Sequence, residues 1–325
     1  MAEETIRRGK LAYKFIFWFL LISIGPMGVV GWQLVNISQN VLMEESQRSQ
    51  ESQAVGFAET VYNYITTFKN VLAVASRLEG FSSMDPVRQN QHLNRVMQQH
   101  AAFLELSVFD TGGKETVRMG RFLGPVPEMR DFSEKAPFQA AMHSGEYIGS
   151  LERFQELYPM LTVAVPIVDA NSAPGVEIAR KGVLLGKVSL NGLSQMLRQQ
   201  FPEKSRSIGM VVATDGFLVA HSEPNEVYRR NAKLSEELID KVTTNVAEKG
   251  GGKIEMKDGS RLLGAFASVK DIGWVVFIQQ PLETAYKSAE EMTRQIYRVI
   301  LYVIGVTILL SLVVASHITR PIRAL

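Results

Sequence analysis

The sequence predicts an α+β protein in which two antiparallel-sheet modules hang from one long N-terminal helix and are flanked by two transmembrane helices. Three observations predict it. Long apolar runs stand near both ends, at residues 13–35 and 296–318. A heptad-like apolar stripe follows the first run. Between the runs, period-two apolar stretches broken by Gly-containing turns occur twice in the same order.

Residues 299–315 carry no charge, and with Ile296, Tyr297 and Ile318 the run, broken by Arg298 near its start, reaches the roughly 20 residues that cross a ~30 Å hydrocarbon core. In the first run Lys14 is the one charge, and Arg7, Arg8 and Lys10 precede it. It is too long for a signal peptide and offers no small-x-small cleavage site, so it reads as an uncleaved anchor. Pro26 falls mid-span, where a kink is tolerated because neighbouring groups re-satisfy the freed carbonyl. Positive charge lies at both outer flanks, with Arg320 and Arg323 after the second run. By the positive-inside tendency both termini are cytoplasmic and residues 36–295 lie outside.

No Pro interrupts residues 36–78. Phe57, Val61, Tyr64, Phe68, Val71, Ala75 and Leu78 are spaced alternately four and three residues apart, which places them on one helix face. Core packing explains this stripe at least as well as dimerisation does. Residues 44–53 are almost wholly polar and read as a solvated stalk.

A short helix is expected over 85–99, and then the period changes. Residues 103–109 alternate as a strand, Asp110, Thr111, Gly112 and Gly113 make a turn, and 115–119 are extended. An extended lead-in and helix cover 131–142, residues 145–150 follow, and 160–168 and 182–190 are strands about a turn at 171–175. The expected unit is an antiparallel sheet with helices on one side. The order recurs at 208–221, a strand, an Asp215-Gly216 turn and a strand. A helix at 235–248, a hairpin at 252–268 about Asp258-Gly259, and a strand at 274–279 complete it, and from Leu282 the chain turns helical into the second span. The expected divisions are a cytoplasmic N-terminus at 1–12, a first span at 13–35, a stalk and long helix at 36–80, a membrane-distal module at 81–204, a membrane-proximal module at 205–281, a helix into the membrane at 282–295, a second span at 296–318, and a new segment at 319–325.

At 325 residues with a formal charge of +2, and with no basic stripe interleaved with aromatics, the chain does not read as a nucleic-acid binder. The absence of cysteine excludes disulfides, thiolate zinc sites and a cysteine nucleophile. His92, His100, His143, His221 and His317 show no metal-ligand spacing, and residues 248–253 lack the phosphate-loop pattern and precede a strand. Gly250, Gly251 and Gly252 read as a flexible turn. No catalytic residue, metal site or cofactor is expected.

Ile318, Thr319, Arg320, Pro321, Ile322 and Leu325 resemble the opening of a HAMP linker, the helical relay that follows the last membrane span of many bacterial receptors. A Pro there suits the first turn of a new helix. Between the spans the chain resembles the double Cache (dCache) sensor domains of bacterial receptors. The likeness is carried by the long helix, Asp131-Phe-Ser, Pro137-Phe-Gln-Ala-Ala, residues 161–169, Gly182-Val-Leu-Leu-Gly and Gly273-Trp-Val-Val, in that order. It implies two PAS-like modules, a small-molecule pocket in the distal one, and a ligand-driven shift of the helix entering the second span. It further implies a homodimer in the bacterial inner membrane, with the sensor periplasmic or extracellular and a cytoplasmic output beyond Leu325. The first expectation for that output is a sensor histidine kinase acting on a response regulator; a methyl-accepting chemoreceptor and a diguanylate cyclase share the layout. A stand-alone membrane-tethered binding protein or enzyme is the rival.

Family members that bind amino acids are similar at an Arg-x-Trp-Tyr sequence that clamps the ligand carboxylate, with a downstream acid for the amine. Lys135, Pro137 and Phe138 occupy those positions here, and the acid falls near Lys187, which weakens an amino-acid reading. The candidate ligand-binding set is Arg118, Arg130, Lys135 and Lys187, with Phe138 and Tyr147 beside them. If Lys187 faces inward with Val183 and Leu185, a ligand anion is one partner that offsets its desolvation. The alternative is that each cation is solvated or paired with Glu134, Glu146 or Glu152. Arg130 is expected in an exposed, turn-like segment.

Overall fold

The computed structural model describes residues 2–122, 128–154, 158–169, 179–229, 232–236, 238–239, 249–256 and 258–319. Residues 320–325 of the HAMP opening expected at 319–325, the turn at 171–175 and most of the helix expected at 235–248 lie outside these. The chain divides into two compact units, Ser49–Pro281 and a pair of helical ends, Met1–Arg48 with Leu282–Leu325.

In the first of these units a long helix, α1 (Ala2–Ala75), supplies the scaffold. Ala54, Phe57, Ala58, Val61, Ile65, Leu72 and Ala75 are buried on it, while Tyr64, Phe68 and Val71 are partly buried. The stripe thus differs from the expected one at its far end, where Leu78 is exposed and lies past the helix. A straight helix has 3.6 residues per turn, so a face read at 3.5 drifts sideways with length. Each fully buried Phe, Ile or Leu of this face contributes about 1.5–3 kcal/mol. The short helices α2 (Glu79–Ser82) and α3 (Pro86–Gln99) follow; Asp85 caps α3 by accepting from Val87 N–H at 3.0 Å.

Two five-stranded antiparallel sheets come next. The distal sheet contains β1 (Phe103–Phe109), β2 (Glu115–Gly120), β3 (Tyr147–Phe154), β4 (Tyr158–Val168) and β5 (Arg180–Ser189), in the order β2-β1-β5-β4-β3. The proximal sheet contains β6 (Ile208–Val212), β7 (Leu218–His221), β8 (Lys249–Glu255), β9 (Arg261–Ser268) and β10 (Val275–Pro281), in the order β7-β6-β10-β9-β8. The two orders are the same permutation, so the repeat seen in the sequence is a repeat of topology. Helix α5 (Asn191–Gln200) joins the modules and α6 (Pro224–Val227) follows β7. One apolar cluster runs from α1 and α5 across both sheets, through Leu106, Val108, Leu161 and Leu184 to Val211, Ala265 and Val276.

Two expectations are corrected here. The distal sheet has helices on both faces, because α4 (Ala136–Ser144) packs on Phe109, Ala164, Val183 and Leu185, opposite the face that meets α1. Gly250, Gly251 and Gly252 form part of β8, paired with Phe266, Ala265 and Gly264 of β9. Their glycines serve close approach: a Cβ on Gly250 would stand 2.8 Å from the Phe266 ring, and one on Gly251 would stand 2.9 Å from Gly264 O.

In the other unit, α7 (Leu282–Thr319) is one continuous helix, and its residues Thr293–Leu310 form a window apolar and long enough to cross a membrane, with mean hydropathy 1.4. Trp18, Ile22, Val29, Val30 and Trp32 of α1 and Leu301, Tyr302, Leu309 and Val313 of α7 are exposed. Among the described residues the α7 window is the one that meets the length and hydropathy of a membrane span. The two helices approach at Gly31, where an added Cβ would lie 2.6 Å from Ile300 Cδ1.

Candidate functional site

The site is built on the α4 face of the distal sheet. Helix α4 begins after Lys135 with Pro137 in its first turn, and Arg180 at the start of β5 donates to the carbonyls of Ala141 and Met142 in its last turn. The helix is therefore fastened at its C-terminal end to the start of β5. Its Phe138 and Ala141 pack on Phe109, Ala164, Val183 and Leu185, with Phe132, Met142 and Tyr147 at the edge.

Beyond this apolar patch the face becomes polar. Lys187 is half-buried, and its register partners are Glu105 on β1 and Thr162 on β4, so Glu105, Lys187 and Thr162 form one row across three strands. It continues the alternation of Val183 and Leu185, as expected. Among the described residues no carboxylate lies within ion-pair distance of Lys187. Thr162 Oγ1 donates to Glu152 Oε1 at 2.6 Å. Desolvation first, and then the Glu152 charge, push the Tyr147 phenol above its ordinary value.

Arg130 is placed otherwise than its expected exposed turn. Its side chain is 26% exposed and ion-paired to Glu115 and Glu105, both at 2.7 Å, and it donates to Ser107 Oγ at 2.9 Å. Its ring neighbour is Phe132, 5.2 Å from the guanidinium. Burial would raise the Glu115 carboxyl, but the hydrogen bonds from Arg130 and Ser107 outweigh it and hold it below the usual range. Arg118 lies beside the same carboxylate, Nε to Oε2 3.5 Å, and donates to Glu128 O. Lys135 is exposed at the head of α4. Phe138 is buried among apolar side chains. The structure thus gathers Arg118 and Arg130 about Glu115, sets Lys187 and Tyr147 on the same sheet face, and leaves Lys135 at the surface.

Neither Glu134 nor Glu152 takes an ion pair with these cations among the described residues, and Glu146 pairs with Lys69 of α1 at 2.9 Å. The partners that sequence reasoning missed are Glu105, Ser107 and Glu115. Glu105 and Ser107 carried a signal, as two polar residues alternating with Leu106 and Val108 in an otherwise apolar strand. A hollow of about 430 Å³ lies away from this face, beside Phe201 and α6; its Arg198, Arg206 and Arg229 are matched by Glu203, Glu223 and Glu226.

A family model described as a Cache domain, in its double form, matches residues 35–289. The chain belongs to the double Cache family. Domains of this family are extracytoplasmic sensor modules of membrane receptors. Similar solved structures include the ligand-binding domain of the Campylobacter jejuni chemoreceptor Tlp3 in complex with L-norvaline, at 14% identity and TM-score 0.57, covering 76% of this chain and 95% of that one. The extracellular domain of vpHK1S-Z8, a protein assigned as a histidine kinase, aligns at 18% identity and TM-score 0.58 over 76% of this chain and 97% of that one. A domain of a Vibrio parahaemolyticus protein assigned to the sensory box/GGDEF family aligns at 21% and TM-score 0.55 over 76% and 100%. At these identities the likeness is one of fold. No curated protein sequence matches the chain.

Proposed function

We propose that this double Cache chain is the sensing part of a two-span bacterial inner-membrane receptor that binds a small organic acid outside the cytoplasm and relays its occupancy through α7. The observation that carries the ligand class is Lys187, a half-buried cation on the α4 face whose row neighbours Glu105 and Thr162 are engaged with Arg130 and Glu152 instead. A carboxylate at Lys187 offsets the desolvation of that ammonium. Tyr147 meets the rest of the ligand, Arg118 and Arg130 hold the face in shape, and Phe138 and Lys135 flank it on α4. The distal module corresponds to residues 81–204 and the proximal one to 205–281.

The test is a thermal screen of the segment 40–281 against acetate, lactate, succinate and citrate, with a neutral sugar and a diamine as comparators. Binding at a hundredfold excess over Kd stabilises by about 2.7 kcal/mol, a shift of several degrees. A shift from the sugar or the diamine with none from any acid refutes the anion reading.

Both termini are cytoplasmic in this reading, and the homodimer signals through a HAMP to a histidine kinase and its response regulator. Alkaline phosphatase, active only outside the cytoplasm, is expected to be active when fused after Gly175 and inactive after Leu325; the reverse pattern overturns the topology. A chemoreceptor or diguanylate cyclase output is told apart by the coding sequence after Leu325: a phospho-acceptor His with an ATP-binding domain, a long heptad hairpin, or a Gly-Gly-Asp-Glu-Phe-like motif.

A further inference from the structure

Arg153 stands at the end of β3, the edge strand of the distal sheet, next in sequence to Glu152. Its guanidinium leaves its own module. Nη2 donates to Leu218 O and Nη1 to Val227 O, both at 3.1 Å, and Cζ lies 5.3 Å from the Phe217 ring centroid. All three receivers belong to the proximal module, and Leu218 opens β7, the edge strand of its sheet. Among the described residues no carboxylate pairs with Arg153, and its buried Nε has no hydrogen-bond partner. Arg153 is half-buried, and a cation drawn partly out of water to two carbonyls and one ring is a costly way to fill space. An aliphatic side chain would pack there without that cost, so the geometry asks for a role in holding position.

The same hairpin provides a second contact. Tyr158, at the start of β4, lies against Tyr228, with ring centroids 5.6 Å apart. Farther along, the hairpin carries Tyr147, Glu152 and Thr162 on the candidate ligand face. The hairpin β3–β4 therefore has one end at that face and the other fastened to β7 and α6.

We infer that Arg153 is a positioning residue that couples the distal ligand face to the proximal module, so that a change at Glu152–Thr162 reaches β7 through the β3–β4 hairpin as well as through α1. The inference rests on the sensor reading for its purpose, while its test needs no ligand.

The experiment is amide hydrogen exchange on the full chain in lipid nanodiscs, comparing wild type, Thr162→Val, Arg153→Met and the double variant. Thr162→Val removes the hydroxyl that Glu152 accepts from. It is expected to speed exchange at residues 218–222 in wild type and to have no further effect there once Arg153 is Met. Arg153→Met alone is expected to speed those amides about tenfold, the worth of hydrogen bonds from a charged donor, while the centres of β1 and β5 keep their rates. If Arg153→Met fails to fold, Arg153→Lys replaces it, with a smaller increase expected. Equal effects of Thr162→Val in both backgrounds, no effect in either, or unchanged rates in the Arg153 variants overturn the coupling. Failure of the acid screen with success here would leave the coupling standing and remove only the ligand class.

Discussion

Arg130 grips Glu115 through three donors: Nη2 to Oε1 at 2.7 Å, Nε to Oε2 at 3.2 Å and its own backbone N–H to Oε2 at 3.0 Å. The Glu115 side chain is 0% exposed, and its other described neighbours are Ser107 and Arg118. Removing the guanidinium leaves the buried carboxylate with Arg118 at 3.5 Å and Ser107, which costs up to about 3–5 kcal/mol. Arg130→Met is therefore expected to lower the melting temperature steeply, and Arg130→Met combined with Glu115→Gln to recover part of the loss. A melt unchanged in Arg130→Met would mean that the pair is solvated.

Two groups give separate pH signatures. Burial chiefly depresses His221, although Nδ1 lies near both the N–H and the carbonyl of Glu223 at 3.0 and 3.1 Å. With the folded pKa below the unfolded one near 6.5, the native state binds fewer protons, so stability is full above that value and falls as pH drops beneath it. Glu115, also depressed, keeps its contribution until the pH falls below the ordinary carboxylate range. Denaturant melts of wild type and His221→Asn are expected to diverge as the pH falls below about 6.5 and to run parallel above it. Parallel curves throughout would show that His221 is solvated.

The turn between β1 and β2 offers a paired test. Gly113 has φ 82°, and a Cβ there would stand 2.5 Å from Ser133 backbone atoms, while one on Gly112 would meet only the Asp110 carboxylate at 3.3 Å. Gly113→Ala is expected to cost more than about 1 kcal/mol in urea unfolding, and Gly112→Ala less than half of that. Equal costs would show that the turn relaxes to admit the methyl group.

Local periodicity made most strands legible, though not β3, and it put Lys187 on the face of Val183 and Leu185 because these fix its parity in β5. It could not place Arg130, which lies outside any strand and whose two carboxylates come from β1 and β2, 25 and 15 residues away. The Gly250–Gly252 run misled for a related reason. A glycine triplet reads as a turn by composition, and what requires it, the Phe266 ring and Gly264 O, stands on a neighbouring strand. The sheet order was likewise beyond one-dimensional reading, since β1 pairs with β5 across about eighty residues of intervening chain. Chemistry that depends on a residue's own strand was visible, and chemistry assembled between strands was not.

Lys187 and Arg130 answer differently to the same substitution. Arg130 is bound into Glu105 and Glu115, so its loss unsettles the fold; Lys187 has no such pair among the described residues, so Lys187→Met keeps the stem's packing and sheds a desolvated charge. The melt of Lys187→Met is expected to equal or slightly exceed that of wild type. Its affinity for an acid that stabilises wild type is expected to fall by about 1.5–3 kcal/mol, the worth of a hydrogen bond to a charged group. Calorimetric titration with that acid, at a temperature where both variants are folded, separates the two roles. A large affinity loss in folded Arg130→Met with none in Lys187→Met would move the anion to the Glu115 side of the face and remove Lys187 from the site.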